Sequence, residues 1–244
     1  MTTRPEIRVL PSAQAASIAA ADAVIGALRS AVERYGRATI ALSGGNTPRA
    51  MYAHFAHASH TSIEWDRIHL LWCDERCVPP DHPRSNFGMA RDAFIARIPI
   101  PSSNVHRMHG ELPPERAAAE YRDVLQALFR DGMPTIDIVH LGVGTDGHTA
   151  SLFPFDPALD ESDRTVCVTR QPETGEERIT LTLPVINAAA RVDFLALGAE
   201  KAGIVKTVLY GVRDPARVPA QGVTPTSGVV VWTLDLEAAQ QLRG

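Results

Sequence analysis

The sequence predicts an α/β fold: a Rossmann-like, mostly parallel sheet flanked by helices, with a small antiparallel hairpin region. Three observations carry this. Short aliphatic, β-branched runs such as ATIAL, IHLLWC and IDIVHL recur along the chain. Helix-length amphipathic segments separate them, which implies parallel pairing through right-handed crossovers. Several runs end directly in glycine-rich or charged loops, the place where open α/β sheets gather their ligands. With 244 residues and no repeat, low-complexity segment or long linker, one domain over 1–244 is expected.

Taken in order, Ile7–Leu10 reads as a strand. Ala13–Tyr35 reads as an alanine-rich helix, with Ser12 placed to cap its start and Gly36 to stop it. Ala38–Leu42 is a strand, and Pro48–Ser59 a helix with Thr47 as N-cap and Pro48 in the first helical position. Ile68–Cys73 is the next strand, followed by a loop and a helix through Phe87–Ile98. Val105–Met108 has the composition of a short strand, and Pro114–Arg130 that of a helix ended before Gly132. After the strand Ile136–Leu141 and a loop come Thr165–Thr169 and Arg178–Leu183, joined by the polar turn QPETGEE as a hairpin at one edge. Arg191–Leu197 and Gly228–Trp232 supply the last strands, around a helix at Ala199–Tyr210; Asp235–Leu242 reads as a closing helix.

Composition narrows the function. The chain is 45% hydrophobic and 21% charged, with a net charge of −4, so no global basic field favours nucleic acid. Any phosphate site must be local. Three cysteines, Cys73, Cys77 and Cys167, form no disulfide framework, and Cys73-x3-Cys77 lacks the second pair or nearby histidines of a metal site. No signal peptide is read at the N-terminus, and no uninterrupted apolar run approaches about 18 residues, so a cytoplasmic protein away from membranes is expected.

The densest stretch is Thr135–Pro154, TIDIVHLGVGTDGHTASLFP. Gly142, Gly144 and Gly147 satisfy G-x-G-x-x-G, but Pro154 and Pro157 interrupt the long helix that a dinucleotide site requires, and 155–163 reads as a loop. What the turn does present is an imidazole, His148, with Asp146 two residues away. A second loop, Ser43-Gly44-Gly45-Asn46-Thr47-Pro48, combines turning glycines, hydroxyls and a helix start, the ingredients of an anion cradle. It lacks the GK[ST] ending of a P-loop. A third, Asp74-Glu75-Arg76, sets charges directly after a buried strand; Arg76 suits a substrate or an oxyanion, or else a pair with a neighbouring carboxylate. Arg178 and Lys201 are further cations at strand and helix starts, and a Lys there suits an anionic ligand. His54, His57 and His60 lack the helical i, i+4 spacing of a metal pair and read as a solvated face, while His140 reads as a core residue. No G-x-S-x-G elbow supports a serine nucleophile.

The set SGGNTP, DERCVPPDHPRSN, GVGTDGHTASLFP, RITLTLP-x-IN and LGAEK, with the tail PAQGVTP and VVVWTLD, closely resembles the 6-phosphogluconolactonase family. The resemblance implies a fold of the sugar-phosphate isomerase/deaminase type and hydrolysis of 6-phosphoglucono-δ-lactone in the pentose phosphate pathway, without cofactor or metal. It implies a small-molecule sugar-phosphate lactone as ligand and a monomer or homodimer. The related glucosamine-6-phosphate deaminases carry a Glu five positions after the motif's His; here that residue is Phe153. The implied machinery is His148 as base, Asp146 as its orienter and Arg76 toward the oxyanion. Ser43, Gly44, Gly45, Thr47, Asp74, Arg178 and Lys201 would hold substrate and phosphate. A deaminase/isomerase-like enzyme and a non-catalytic sugar-phosphate sensor are the alternatives.

Overall fold

Strands β2 (Ala38–Leu42) and β5 (Ile138–Leu141) are buried at every position, as strands covered on both faces must be. They lie inside a six-stranded parallel sheet with β1 (Glu6–Leu10), β3 (Ile68–Trp72), β8 (Arg191–Ala196) and β9 (Val229–Asp235), in the order β1-β9-β8-β5-β2-β3. The computed structural model describes residues 4–58, 63–130 and 132–242. From β2 the chain steps to β3 at one edge and then returns to the far side of β2 as β5. The strand order therefore reverses between β2 and β5, which opens a crevice at their carboxyl ends.

A second sheet is antiparallel, with the order β4 (Asp74–Arg76), β7 (Glu177–Leu181), β6 (Val166–Arg170). It hangs from the first: Cys73 N–H donates to the Leu42 carbonyl, and Leu181 N–H to the Cys73 carbonyl. The expected hairpin thus exists, but in a sheet of its own and not at the edge of the parallel one. Residues 74–76 were expected in a loop; pairing with β7, about a hundred positions away, makes them a strand.

Helix α1 (Ala13–Tyr35) matches its predicted span. Ser12 accepts from the Ala15 N–H, and Gly36, at φ 75°, returns its N–H to the Val32 carbonyl. By length and mean hydropathy of 1.4 this helix could cross a bilayer, against the expectation from uninterrupted apolar runs, because alanine raises the average. Here its apolar side (Ala16, Ala20, Ala21, Val24, Ile25, Leu28) is buried over β9, β2 and β1.

Helix α2 (Arg49–Ala58) starts one residue late. The Pro48 carbonyl accepts its first bond, from Tyr52, so Thr47 precedes the cap, while the expected end at Ser59 and the third histidine, His60, lie outside the described residues. Helix α3 (Asn86–Ala93) is shorter than predicted, because Phe94 leaves helical geometry (φ −153°, ψ −35°) before a 3-10 turn at Ile95–Arg97. Helix α4 (Pro114–Phe129) packs on β6 and β7. The predicted strand at Val105–Met108 reduces to one bridge between Val105 and Leu70. Leu183, expected in a strand, opens the helix α5 (Leu183–Ala188), and the helix from Ala199 begins as a 3-10 turn before α6 (Ala202–Tyr210). The predicted closing helix is absent: β9 runs on to Asp235, and turns follow.

Candidate active site

A cleft of about 250 Å³ opens where β2 and β5 end. Its lining brings together Ser43, Gly44, Gly45 and Thr47 after β2, Asp74 and Arg76 in β4, His148 after β5, and Lys201 before α6. Two predicted site residues are not in the lining: Asp146, which reaches it only through its bond to His148, and Arg178. The Arg178 side chain, 12% exposed, lies opposite Arg76 across β4 and β7 and pairs with Glu176 at 3.0 Å. A larger cavity of about 480 Å³ involves Phe194, Trp232, Arg4 and Arg213, and its lining holds no carboxylate, imidazole or thiol. The chemistry therefore belongs to the smaller cleft.

The glycine turn after β5 is built around one side-chain hydrogen bond. His148 Nδ1 lies 2.6 Å from Asp146 Oδ1, and the His148 backbone N–H donates to the same oxygen at 3.2 Å. Any Cβ on Gly144 would overlap both side chains, so only glycine fits there. Gly147, at φ 90°, closes the turn by donating to the Gly144 carbonyl. Burial pushes the Asp146 carboxyl up, but the His148 hydrogen bond and charge outweigh it and hold it below the ordinary range. No partner occupies His148 Nε2 among the described residues, and the side chain is 35% exposed at the cleft. No long helix follows the glycines: Thr149–Asp156 forms turns, and Ala150 takes a left-handed φ of 49° in the cleft wall. The Phe153 ring centroid lies 5.1 Å from that of the imidazole, tilted by 49°, so an apolar ring packs beside it.

The two carboxylates of β4 are held by several hydrogen bonds. Asp74 accepts from Ser151 Oγ at 2.6 Å and from the Asn86 amide at 3.3 Å, which ties it to the His148 loop and to α3. Glu75, 2% exposed, accepts from the backbone N–H groups of Arg76, Asn86 and Phe87 and from Ser85 Oγ. Burial nonetheless pushes its carboxyl up. Arg76 donates to the Arg84 carbonyl, and no Asp74–Arg76 ion pair forms among the described residues. Lys201 likewise has no anionic partner there.

Two residues escaped the sequence reading. Asn86 packs under Gly44, leaving no room for a Cβ, and joins the cleft wall. His140 is buried as expected, yet it also reaches the cleft floor and bonds Ser43 Oγ at 2.8 Å. The motif SN before α3 was the only signal for Asn86; for His140 there was none. Among the described residues no cluster of three or more metal-ligating side chains occurs. His54, of the histidine triplet, pairs with Asp22.

An imidazole with no partner on Nε2 among the described residues, a glycine-rich loop and two cations share one cleft, the class of arrangement found in small-molecule enzymes. The particular family follows from comparison with known proteins: residues 11–232 match the glucosamine-6-phosphate isomerases/6-phosphogluconolactonase family, and the chain belongs to it. It is 39% identical over 243 residues to the 6-phosphogluconolactonase of Synechocystis sp., covering 98% of this chain and 99% of that one. The solved 6-phosphogluconolactonase of Trypanosoma brucei superposes with a TM-score of 0.88 at 31% identity, covering 98% and 99%. A monomeric glucosamine-6-phosphate deaminase, at 20% identity and a TM-score of 0.81, covers 97% and 99% and shares the fold.

Proposed function

We propose that this protein hydrolyses 6-phosphoglucono-δ-lactone to 6-phosphogluconate in the pentose phosphate pathway, with His148 as general base. The observation that carries the reading is the 2.6 Å His148–Asp146 bond, which leaves Nε2 free at the cleft. A neutral imidazole takes a proton from water as the water oxygen attacks the lactone carbonyl. The tetrahedral intermediate then collapses, the ring C–O bond breaks, and the same proton returns to the leaving oxygen. Asp146 holds the ring and stabilises the transient imidazolium. Arg76 and loop N–H groups meet the oxyanion, where one donor is worth about 3 kcal/mol.

The cradle Ser43–Thr47 and Lys201 hold the phosphate and fix the lactone near His148. The Phe153 ring against His148 favours lactone hydrolysis over the deaminase reading, which needs a carboxylate there. The net charge of −4 and the burial of the apolar face of α1 support a cytoplasmic enzyme of small-molecule metabolism, acting without nucleic acid or membrane.

The test is to generate the lactone in situ and follow 6-phosphogluconate through a coupled dehydrogenase, with an enzyme-free blank. Acceleration over the blank is the expected result. A wild-type rate equal to the blank, with ammonia released from glucosamine-6-phosphate, would move the assignment to the deaminase branch.

A further inference from the structure

Ser43 and His140 form a buried pair that the proton-transfer step does not use. Ser43 follows β2 and His140 lies in β5, 97 positions apart in the chain, and the parallel pairing of those strands sets Oγ 2.8 Å from Nδ1. They are 4% and 1% exposed, and both contribute to the cleft lining. Tyr52 packs its ring edge on the imidazole and donates its hydroxyl to the Ser43 carbonyl at 2.9 Å. His140 Nε2 is closed to solvent and has no partner among the described residues.

That orphan nitrogen decides the tautomer. Burial pushes the His140 pKa down to about 3, so the ring is neutral and carries one N–H. Placed on Nε2, the proton would be a buried donor without an acceptor, the rarer and costlier kind of orphan. Placed on Nδ1, it is donated to Ser43 Oγ, and only a bare lone pair is left at Nε2. Ser43 then accepts from His140, while its own hydroxyl proton has no acceptor among the described residues.

We infer that His140, as the Nδ1–H tautomer, is a positioning residue that fixes Ser43 as a hydrogen-bond donor to a phosphate oxygen of the bound ligand. The inference rests on the reading of Ser43–Thr47 as the phosphate end of the site. A serine hydroxyl without such a neighbour turns freely between donor and acceptor roles; here its acceptor lone pair is occupied from behind, and the proton is left for the anion.

The experiment compares wild type with Ser43→Ala, His140→Leu, His140→Asn and the Ser43→Ala/His140→Leu double variant. It measures kcat and KM for the lactone, the inhibition constant of inorganic phosphate, the melting temperature of each variant, and nitrogen-resolved imidazole spectra of the wild type. Ser43→Ala and His140→Leu are expected to raise KM and the phosphate inhibition constant about tenfold each, with kcat within about twofold. The double variant should be no worse than either single, because the pair acts as one unit. Asn at 140, whose amide restores an N–H donor, should recover most of the affinity. The spectra should show a proton on Nδ1. A proton on Nε2, additive losses, or a kcat loss at unchanged KM would overturn the inference. Phosphate affinity that falls in these variants of a protein without lactonase activity would defeat the functional reading alone. Lactonase activity with phosphate affinity unmoved would defeat this inference alone.

Discussion

Two carboxylate-bearing segments, strand β4 and the turn after β5, flank the same cleft and are built in opposite ways. In strand β4, Glu75 is sealed and receives four donors, and Asp74 is buried against Ser151 and Asn86. In the turn after β5, Asp146 is half exposed and makes one side-chain bond, to an imidazole whose other nitrogen is unpaired. The sealed strand has spent its hydrogen-bonding capacity on holding loops to helix α3 and to each other; the open turn keeps capacity in reserve for a ligand. Unfilled valence at a cleft, more than charge, separates the chemical group from the scaffold.

The sharpest break between the two segments is His148→Ala, which should lower kcat about 10³-fold while leaving binding of 6-phosphogluconate within about tenfold. A lost affinity at unchanged kcat would place His148 in binding. Gly144→Ala disturbs the same pair from behind. An added methyl displaces His148 and Asp146 together, and steady-state kinetics should show a kcat loss of roughly 10- to 100-fold.

Glu75→Gln probes the sealed strand. An amide NH₂ would face N–H groups, and leaving one buried donor unpaired costs about 2 kcal/mol. Thermal melting should fall by roughly 4–8 °C for a chain of this size, with kcat within a few-fold. Lys201→Ala should raise KM about tenfold, and Arg178→Ala by less, since Arg178 lies outside the cleft lining. Equal increases in KM would bring Arg178 onto the phosphate.

The smallest effect is in pH dependence, and it has opposite signs in the two segments. Asp146 is held below 3.8, so its contribution to stability is present above that pH and lost as pH falls through its lower folded value. Glu75 is raised above 4.5, so its ionisation penalises the fold, and the stability it contributes is greatest below 4.5 and lost as pH rises through its folded value. Denaturant titrations from pH 2 to 7 should show the gap between wild type and Asp146→Asn closing toward acid, and that for Glu75→Gln widening toward acid. Parallel curves would contradict this assignment of environments.

Much of this was legible before the structure. Periodicity and capping residues gave α1 to the residue, and the glycine and hydroxyl pattern pointed to two loops that meet at the cleft, because these features are local. What local pattern could not reach was decided by pairing across the chain. Residues 74–76 carry the charges of a loop and become a strand only through β7. His140 sits in an apolar run like any core residue, and its bond to Ser43 depends on β2 and β5 being neighbours. Asn86 matters because Gly44 lies on top of it. Arg178, placed near the site by its position at a strand start, pairs instead with Glu176 in the second sheet and does not line the cleft.

The most direct test sets kcat for the lactone beside melting temperature for His148→Ala and Glu75→Gln in one series. The account predicts a crossing: His148→Ala keeps its melting temperature within about 2 °C and loses kcat about 10³-fold, while Glu75→Gln melts lower and keeps turning over. A His148→Ala protein that folds normally and hydrolyses lactone at the wild-type rate would contradict it.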